Sequence, residues 1–207
     1  MPDFELEDKY QGLVAGVDEA GRGPWVGPVV AGCAVFLTKD VDEKLLSQLN
    51  DSKKLSKKKR EMLYDLLLKE QNLGHMLLGI GEASAKEIDE INILNASFLA
   101  MKRALDKACQ DKPVMVLVDG NREPKTFGCA VKAVVKGDAK SYSISAASIL
   151  AKVYRDRLLE KMAEQYPGYG FEKNAGYGTK AHIDGLKKYG VTPEHRRSYA
   201  PIKEFLK

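Results

Sequence analysis

The chain predicts an α/β fold, a mixed five-stranded sheet flanked by helices, from three observations. Five short apolar runs, at residues 13–17, 26–37, 74–81, 114–119 and 130–135, have the length and the bounding turn signals of strands. Segments with helical spacing of apolar residues separate the later runs. Three antiparallel strands followed by two apolar strands separated by helices describe one mixed α/β sheet.

Residues 1–11 read as a loose lead-in. The first strand is an unbroken apolar run, as expected of a strand buried on both faces. It ends at Asp18-Glu19, and Ala20-Gly-Arg-Gly-Pro24 is expected to break it there, letting Glu19 swing toward Asp18. Residues 26–37 give its hairpin partner. Val41, Leu45, Leu46 and Leu49 predict a short helix over 39–50. Ser56 can cap a helix with Leu63, Leu66 and Leu67 on one face. After the third strand, Ser84-Ala-Lys-Glu87 is a capping box opening a helix to about Cys109, with a break near Asn92 or Asn95. The fourth strand is apolar and ends at Asp119-Gly120; the fifth is followed by Lys136-Gly-Asp138. A long Ser/Ala-rich helix over 143–164 suggests close packing on the sheet, and Tyr166-Pro-Gly-Tyr-Gly170 stops it. A short helix over 179–188 and another opened by Thr192-Pro193 complete a C-terminal helical segment, about 166–207, of one domain.

Length and composition exclude several classes. The chain has 207 residues, 44% hydrophobic and 30% charged, which suits an ordinary globular domain. No run is long enough to span a bilayer. The acidic N-terminus lacks the apolar core of a signal peptide. Cys33, Cys109 and Cys129 are odd in number and widely spaced, so neither a disulfide framework nor a structural zinc site is indicated, and a reducing cytoplasm is expected. The formal charge of +4 suits a polyanionic partner.

Chemistry gathers at strand ends. Asp18, Glu19, Asp119 and Asp138 all lie at or just past the C-terminal end of an apolar run, where ligands bind in open α/β sheets. Two carboxylates about 4 Å apart repel by roughly 4 kcal/mol at an effective dielectric near 20. A fold tolerates that only with a proton or a cation between them. Magnesium suits such an all-oxygen set, and paired ions can activate water and stabilise a leaving oxygen. His75, His182 and His195 are scattered and form no metal-ligand pair. Gly21-Arg-Gly-Pro-Trp-Val-Gly27 lacks the lysine of a P-loop, and Val26 stands where a dinucleotide fingerprint needs glycine. The basic run from Lys53 to Arg60 fits either a phosphate-binding face or a solvated one.

Several motifs in consistent order carry a resemblance. Asp18-Glu-Ala-Gly-Arg-Gly-Pro24, Asp51-Ser-Lys-Lys-Leu55, Ile91-Asn-Ile-Leu-Asn95, Val118-Asp-Gly120, Gly137-Asp-Ala-Lys140 and Ser145-Ala-Ala-Ser-Ile-Leu-Ala-Lys-Val-Tyr-Arg-Asp-Arg157 resemble bacterial ribonuclease HII. So do Gly176-Tyr-Gly-Thr179 and His195-Arg-Arg-Ser-Tyr-Ala-Pro201. The resemblance implies a ribonuclease H-like fold. It also implies two-metal hydrolysis, with Mg2+ or Mn2+, of the phosphodiester 5′ of a ribonucleotide in an RNA–DNA hybrid or embedded in duplex DNA. The metal ligands and catalytic groups it implies are Asp18, Glu19, Asp119 and Asp138. Gly21, Arg22 and Gly23 match the segment that inspects the ribose, and Tyr177 matches the tyrosine beside the neighbouring sugar. Lys53 and Arg196 are further candidates for contact with the nucleic acid, although His195-Arg-Arg197 fits a helix cap as well. Trp25, Val26 and Asn174-Ala175 depart from the family pattern. A monomer without membrane association is expected. A junction-resolving nuclease of the same fold and a non-catalytic hybrid binder are the rival readings, and the four carboxylates argue against the binder.

Overall fold

The computed structural model describes residues 1–206. Strand β1 (Val14–Ala20) is the middle strand of a five-stranded sheet of order β3-β2-β1-β4-β5. It pairs antiparallel with β2 (Val29–Phe36) and parallel with β4 (Met115–Asp119). Beyond them lie β3 (Met76–Ala83), antiparallel to β2, and β5 (Val131–Val134), parallel to β4. A strand paired on both edges and covered on both faces is apolar throughout, which is why the first and fourth runs lack polar alternation.

Helix α1 (Glu43–Leu46) is only one turn long, shorter than the helix expected over 39–50. Two aspartates cap separate short turns in place of one helix. Asp42 accepts from the Lys44 N–H, and Asp51 starts a separate 3-10 turn over Ser52–Lys54 by accepting from the Lys53 N–H. Helix α2 (Lys57–Asn72) is capped by Ser56, and α3 (Ala85–Ala108) has both bonds of the Ser84–Glu87 capping box. At Asn92 the α3 backbone leaves helical geometry, with φ 65° and ψ 163°, and the Asn92 side chain caps the following turn by accepting from the Leu94 and Asn95 N–H groups. Helix α4 (Tyr142–Gln165) is capped by Ser141. Then come α5 (Phe171–Asn174), α6 (Lys180–Tyr189), capped by Thr179, and α7 (Ala200–Lys203). The helix expected from Thr192-Pro193 is a turn: the Thr192 N–H donates to His195 Nδ1 at 3.0 Å, folding the imidazole back onto the chain.

Helix α3 covers one sheet face, in a core that includes Val17, Cys33, Val118, Ala100 and Met101. Helices α4 and α2 cover the other, with Ala34, Leu67, Leu78, Ile149 and Leu150. A third core, formed by Val26, Leu159, Tyr169, Phe171, Leu186 and Ile202, anchors the C-terminal segment to α4 and the β1–β2 connection. Residues 1–11 are not loose. Glu7 accepts from the Ser141 and Ser143 hydroxyls and from the Ser143 N–H at 3.0 Å, so the lead-in is tied to the start of α4.

Two glycines set the distance between α4 and the sheet. A methyl group on Gly16 would stand 2.2 Å from the Ser143 carbonyl carbon, and one on Gly32 would stand 2.2 Å from the Ala147 oxygen. Backbone therefore packs on backbone, and Gly32 lies directly opposite Asp18 in the β1–β2 register.

Gly32→Ala must push α4 off the sheet. It is expected to cost at least about 1–3 kcal/mol. For a chain of this size that lowers the thermal midpoint by several degrees, checked by thermal denaturation of parent and variant.

Candidate active site

The break expected from Ala20 onward does not free Glu19: β1 stays paired with β2 through Ala20. Asp18 and Glu19 therefore leave the strand on opposite faces. Asp18 follows Gly16 on the α4 side, beside Ser148; Glu19 follows Ala15 and Val17 on the α3 side. They meet at the end of the sheet, where both carboxylates, with Asp119 from the adjacent end of β4, line one cavity of about 470 Å³. Gly21, Arg22, Gly23, Lys53 and Tyr177 line the same cavity. Asp138 stands beside it, on the 3-10 turn Gly137–Ala139 that follows β5. That turn is fixed to β4 because the Gly137 N–H donates to Asp119 Oδ1 at 2.7 Å.

The carboxylates oppose one another. Burial, then the charges of Glu19 and Asp119, push the Asp18 carboxyl well above its usual range. Burial also raises Glu19, against the pull of Arg22, whose guanidinium is 3.4 Å away. Asp138 is pushed up to about 6 by burial and by the charges of Asp119 and Asp51. Among the described residues no three His, Cys, Asp or Glu side chains converge into a preformed cation cage. The site is instead a set of mutually repelling oxygen donors at the wall of the cavity. A hard divalent cation would relieve that repulsion, so the donor set fits such an ion.

The glycine loop is held from beneath by two buried guanidiniums. Arg196 is 0% exposed and donates to the Gly21 carbonyl at 2.6 Å, the Arg22 carbonyl at 2.8 Å and the Gly27 carbonyl at 3.0 Å. It therefore cannot touch a nucleic acid, which corrects its assignment as a substrate-binding residue. A trans peptide sets its N–H opposite its carbonyl. With the Gly21 and Arg22 carbonyls turned in toward Arg196, the N–H groups of Arg22 and Gly23 face away from it. Arg155 donates to the carbonyls of Pro28, Val26 and Ala175. Burial and the nearby Arg196 charge lower its pKa to about 10. Gly21, at φ 95°, is required here, because a methyl group would stand 1.9 Å from Arg155 Nε. Gly23 touches the Tyr177 ring, with 3.2 Å from an added methyl to Cε1, and that residue is 53% exposed.

Ser52, Ser148, Lys152 and Arg155 also line the cavity and were not singled out as site residues from the sequence. Ser148, Lys152 and Arg155 stand at steps of four and three, the spacing of one helix face, so a periodicity signal for them was present. Asn174, one of the departures from the family pattern, binds its own loop: its amide donates to the Tyr169 carbonyl at 2.8 Å and accepts from the Gly176 N–H at 2.8 Å.

The family model for ribonuclease HII matches residues 15–202. The chain belongs to the ribonuclease HII family. It is 50% identical over 207 residues to ribonuclease HII of Gluconobacter oxydans (strain 621H), covering 100% of this chain and 97% of that protein. Among solved structures it resembles ribonuclease H2 from Pyrococcus horikoshii OT3, with TM-score 0.72 and 34% identity over 93% of this chain and 96% of that one. A similar fold, TM-score 0.66 at 15% identity, covers 94% of this chain and 69% of Bst-RNase HIII in complex with Mn2+. The sheet with its helices is thus a ribonuclease H-like fold, and the chain is a hydrolase, a type 2 ribonuclease H.

Two predictions follow from the supports of this ribonuclease HII site. Arg196→Lys loses the fork that binds successive carbonyls. It is expected to cost about 1–3 kcal/mol, seen as a lower thermal midpoint in the absence of nucleic acid. The second concerns acid. Burial, then His182, lowers His195 from 6.5 to about 4. Below pH 6.5 the unfolded chain takes up a proton that the folded one refuses, so this stability is present above about 6.5 and is lost as pH falls toward 4. The loss is on the order of 3 kcal/mol. The raised carboxylates act with the opposite sign, so the contribution is read as the difference in acid sensitivity between parent and His195→Gln.

Proposed function

We propose that the chain cuts the phosphodiester on the 5′ side of a ribonucleotide, in RNA–DNA hybrids or embedded singly in duplex DNA, leaving 3′-hydroxyl and 5′-phosphate ends. It works as a cytoplasmic monomer with two Mg2+ or Mn2+ ions. The observation that carries the reading is that Asp18, Glu19 and Asp119 share one cavity wall with Gly21, Arg22, Gly23 and Tyr177. Arg22, Lys53 and Lys152 alone would serve to bind phosphate; the buried, mutually repelling carboxylates add nothing to binding unless a divalent cation sits among them, so they support hydrolysis over simple binding.

Asp18, Glu19, Asp119 and Asp138 would hold the ions, and Asp18, on the central strand and facing the charges of both Glu19 and Asp119, is the candidate shared ligand. The ions supply an activated water and charge neutralisation at the phosphate. The Mn2+ in Bst-RNase HIII is in line with that requirement. The protein's own groups select the substrate. A 2′-hydroxyl both donates and accepts and marks ribose against deoxyribose. The backbone of Gly21 to Gly23 can reach it because no side chain intervenes at either glycine. A site left unpaired by deoxyribose discriminates strongly. Arg22 and Lys53 line the cavity as cations for the phosphate backbone, and Tyr177 lies against the adjoining sugar. The free thiols of Cys33, Cys109 and Cys129 fit a reducing compartment.

Incubation with a labelled duplex carrying one ribonucleotide tests the reading. The expected product is a cut on the 5′ side with a 3′-hydroxyl, and an all-DNA duplex stays intact. A cut on the 3′ side leaving a cyclic phosphate would mean attack by the ribose itself and end the proposal; equal cutting of all-DNA duplex would favour a junction nuclease. Asp18→Asn and Asp138→Asn are expected to fold normally and lose at least about 10²–10³-fold in cleavage rate, the scale of losing one charge-stabilising contact.

A further inference from the structure

We propose that His182 and His195 form a tautomer-locked pair that positions Tyr177, fixing its main chain so that its ring stands at a set place beside the glycine loop. This rests on the reading of Tyr177 as the residue that lies against the sugar next to the cleavage site.

The direction of every proton in the pair follows from one amide. The Thr192 N–H can only donate, and it points at His195 Nδ1 at 3.0 Å. That nitrogen is therefore the acceptor, and the Thr192 hydroxyl, 2.8 Å from it and itself accepting from the Glu194 N–H, donates to it as well, so a neutral His195 carries its proton on Nε2. His195 Nε2 lies 2.9 Å from His182 Nε2, which must accept. The His182 proton is then on Nδ1, 3.0 Å from the Tyr177 carbonyl oxygen, to which it donates. The Thr192 amide, two imidazoles and the Tyr177 carbonyl thus form one chain of bonds with a single allowed proton arrangement.

The surroundings keep that arrangement neutral. His182 is 0% and His195 1% exposed. Trp25, Tyr169 and Phe171 pack around them, with ring centres 5.1–6.2 Å away. The nearest guanidiniums in the chain, Arg196 and Arg155, are turned toward backbone carbonyls of the glycine loop and of Ala175. Burial depresses both imidazoles.

The output of the chain is Tyr177. Its carbonyl also accepts from the Thr179 N–H at 2.8 Å, and its own N–H donates to the Asn174 carbonyl at 2.9 Å. The main chain at Tyr177 is clamped on both sides while the side chain projects into the cavity. Trp25 joins this support to the glycine loop: its N–H donates to the Gly176 carbonyl at 2.9 Å, and a methyl on Gly178 would stand 2.0 Å from its ring. A histidine used only for packing needs no donor aimed at Tyr177; this pair spends its one outward donor there.

The test uses the full chain with Mg2+ and compares cleavage of a duplex holding one ribonucleotide with cleavage of a uniform RNA–DNA hybrid. Tyr177→Ala and His182→Leu are each expected to lower the ratio of single-ribonucleotide to hybrid cleavage by about ten- to a hundredfold, the scale of a misplaced contact. The double variant should do no worse than Tyr177→Ala. His182→Asn, whose amide nitrogen lies near the place of Nδ1, should restore most of the ratio, and His195→Gln, which keeps a donor near Nε2, should stay near the parent value. If Tyr177→Ala lowers the ratio but His182→Leu does not, or if the two losses multiply in the double variant, the positioning role is wrong and the reading of Tyr177 stands. If Tyr177→Ala leaves the ratio unchanged, the reading of Tyr177 fails and the proposal falls with it. Nitrogen NMR of the unmodified protein gives a second measurement free of folding effects. Protons on Nδ1 of His182 and Nε2 of His195 are expected, and the reverse tautomers would overturn the proposal.

Discussion

The contact of α4 with the bare backbone of β1 and β2 is the constraint on which the rest of the molecule depends. Side chains normally keep a helix about 10 Å from a sheet. Gly16 and Gly32 remove them at the crossing, so the helix backbone rests on the strands. The result is positional. Ser148 comes beside Asp18, Arg155 reaches beneath Gly21, and the C-terminal core closes over the far end of the helix. A larger residue at either glycine would move all three at once.

The electrostatics of the site follow from burying charges of both signs in separate layers. The carboxylates crowd one another at the strand ends, in a cavity that Arg22, Lys53 and Lys152 also line. Below, Arg155 and Arg196 are buried without carboxylate partners, and each spends its donors on main-chain carbonyls. Removing an ion of that kind from water costs several kcal/mol unless its hydrogen bonds are all made. Here they are made mostly by the β1–β2 connection, with Ala175 and the Tyr199 hydroxyl completing them, so that connection's shape and the satisfaction of the charges are the same requirement. A backbone held this way keeps the Arg22 and Gly23 N–H groups in a fixed direction, away from Arg196.

Much of this was legible in the residues. The five strands and most of the helices followed from apolar runs and caps, and the carboxylates were legible because each lies at or just past the end of a run; the strand order was not. The failures have physical causes. The turn residues after Glu19 suggested an early break, yet pairing to β2 carries β1 to Ala20, and the two carboxylates meet from opposite faces instead of one. The Arg196 assignment failed because a cation in a basic motif looks solvated until its distant carbonyl partners are known. The helix expected over 39–50 is shorter because Asp42 caps its start only at Glu43 and Asp51 opens a separate 3-10 turn beyond it. The histidines looked scattered because 13 residues separate His182 from His195, and only the fold brings their rings together.

The bonds from Arg196 to Gly21 and Arg22 tie together residues 175 and 174 positions apart in sequence. Contacts between such distant residues repay their loop-closure entropy only once the intervening elements are in place. The sheet and the carboxylates at its strand ends can therefore form before the Gly21–Gly23 backbone is fastened. A chain cut short before residue 196 would keep the acidic strand ends and lose the guanidinium that restrains that backbone.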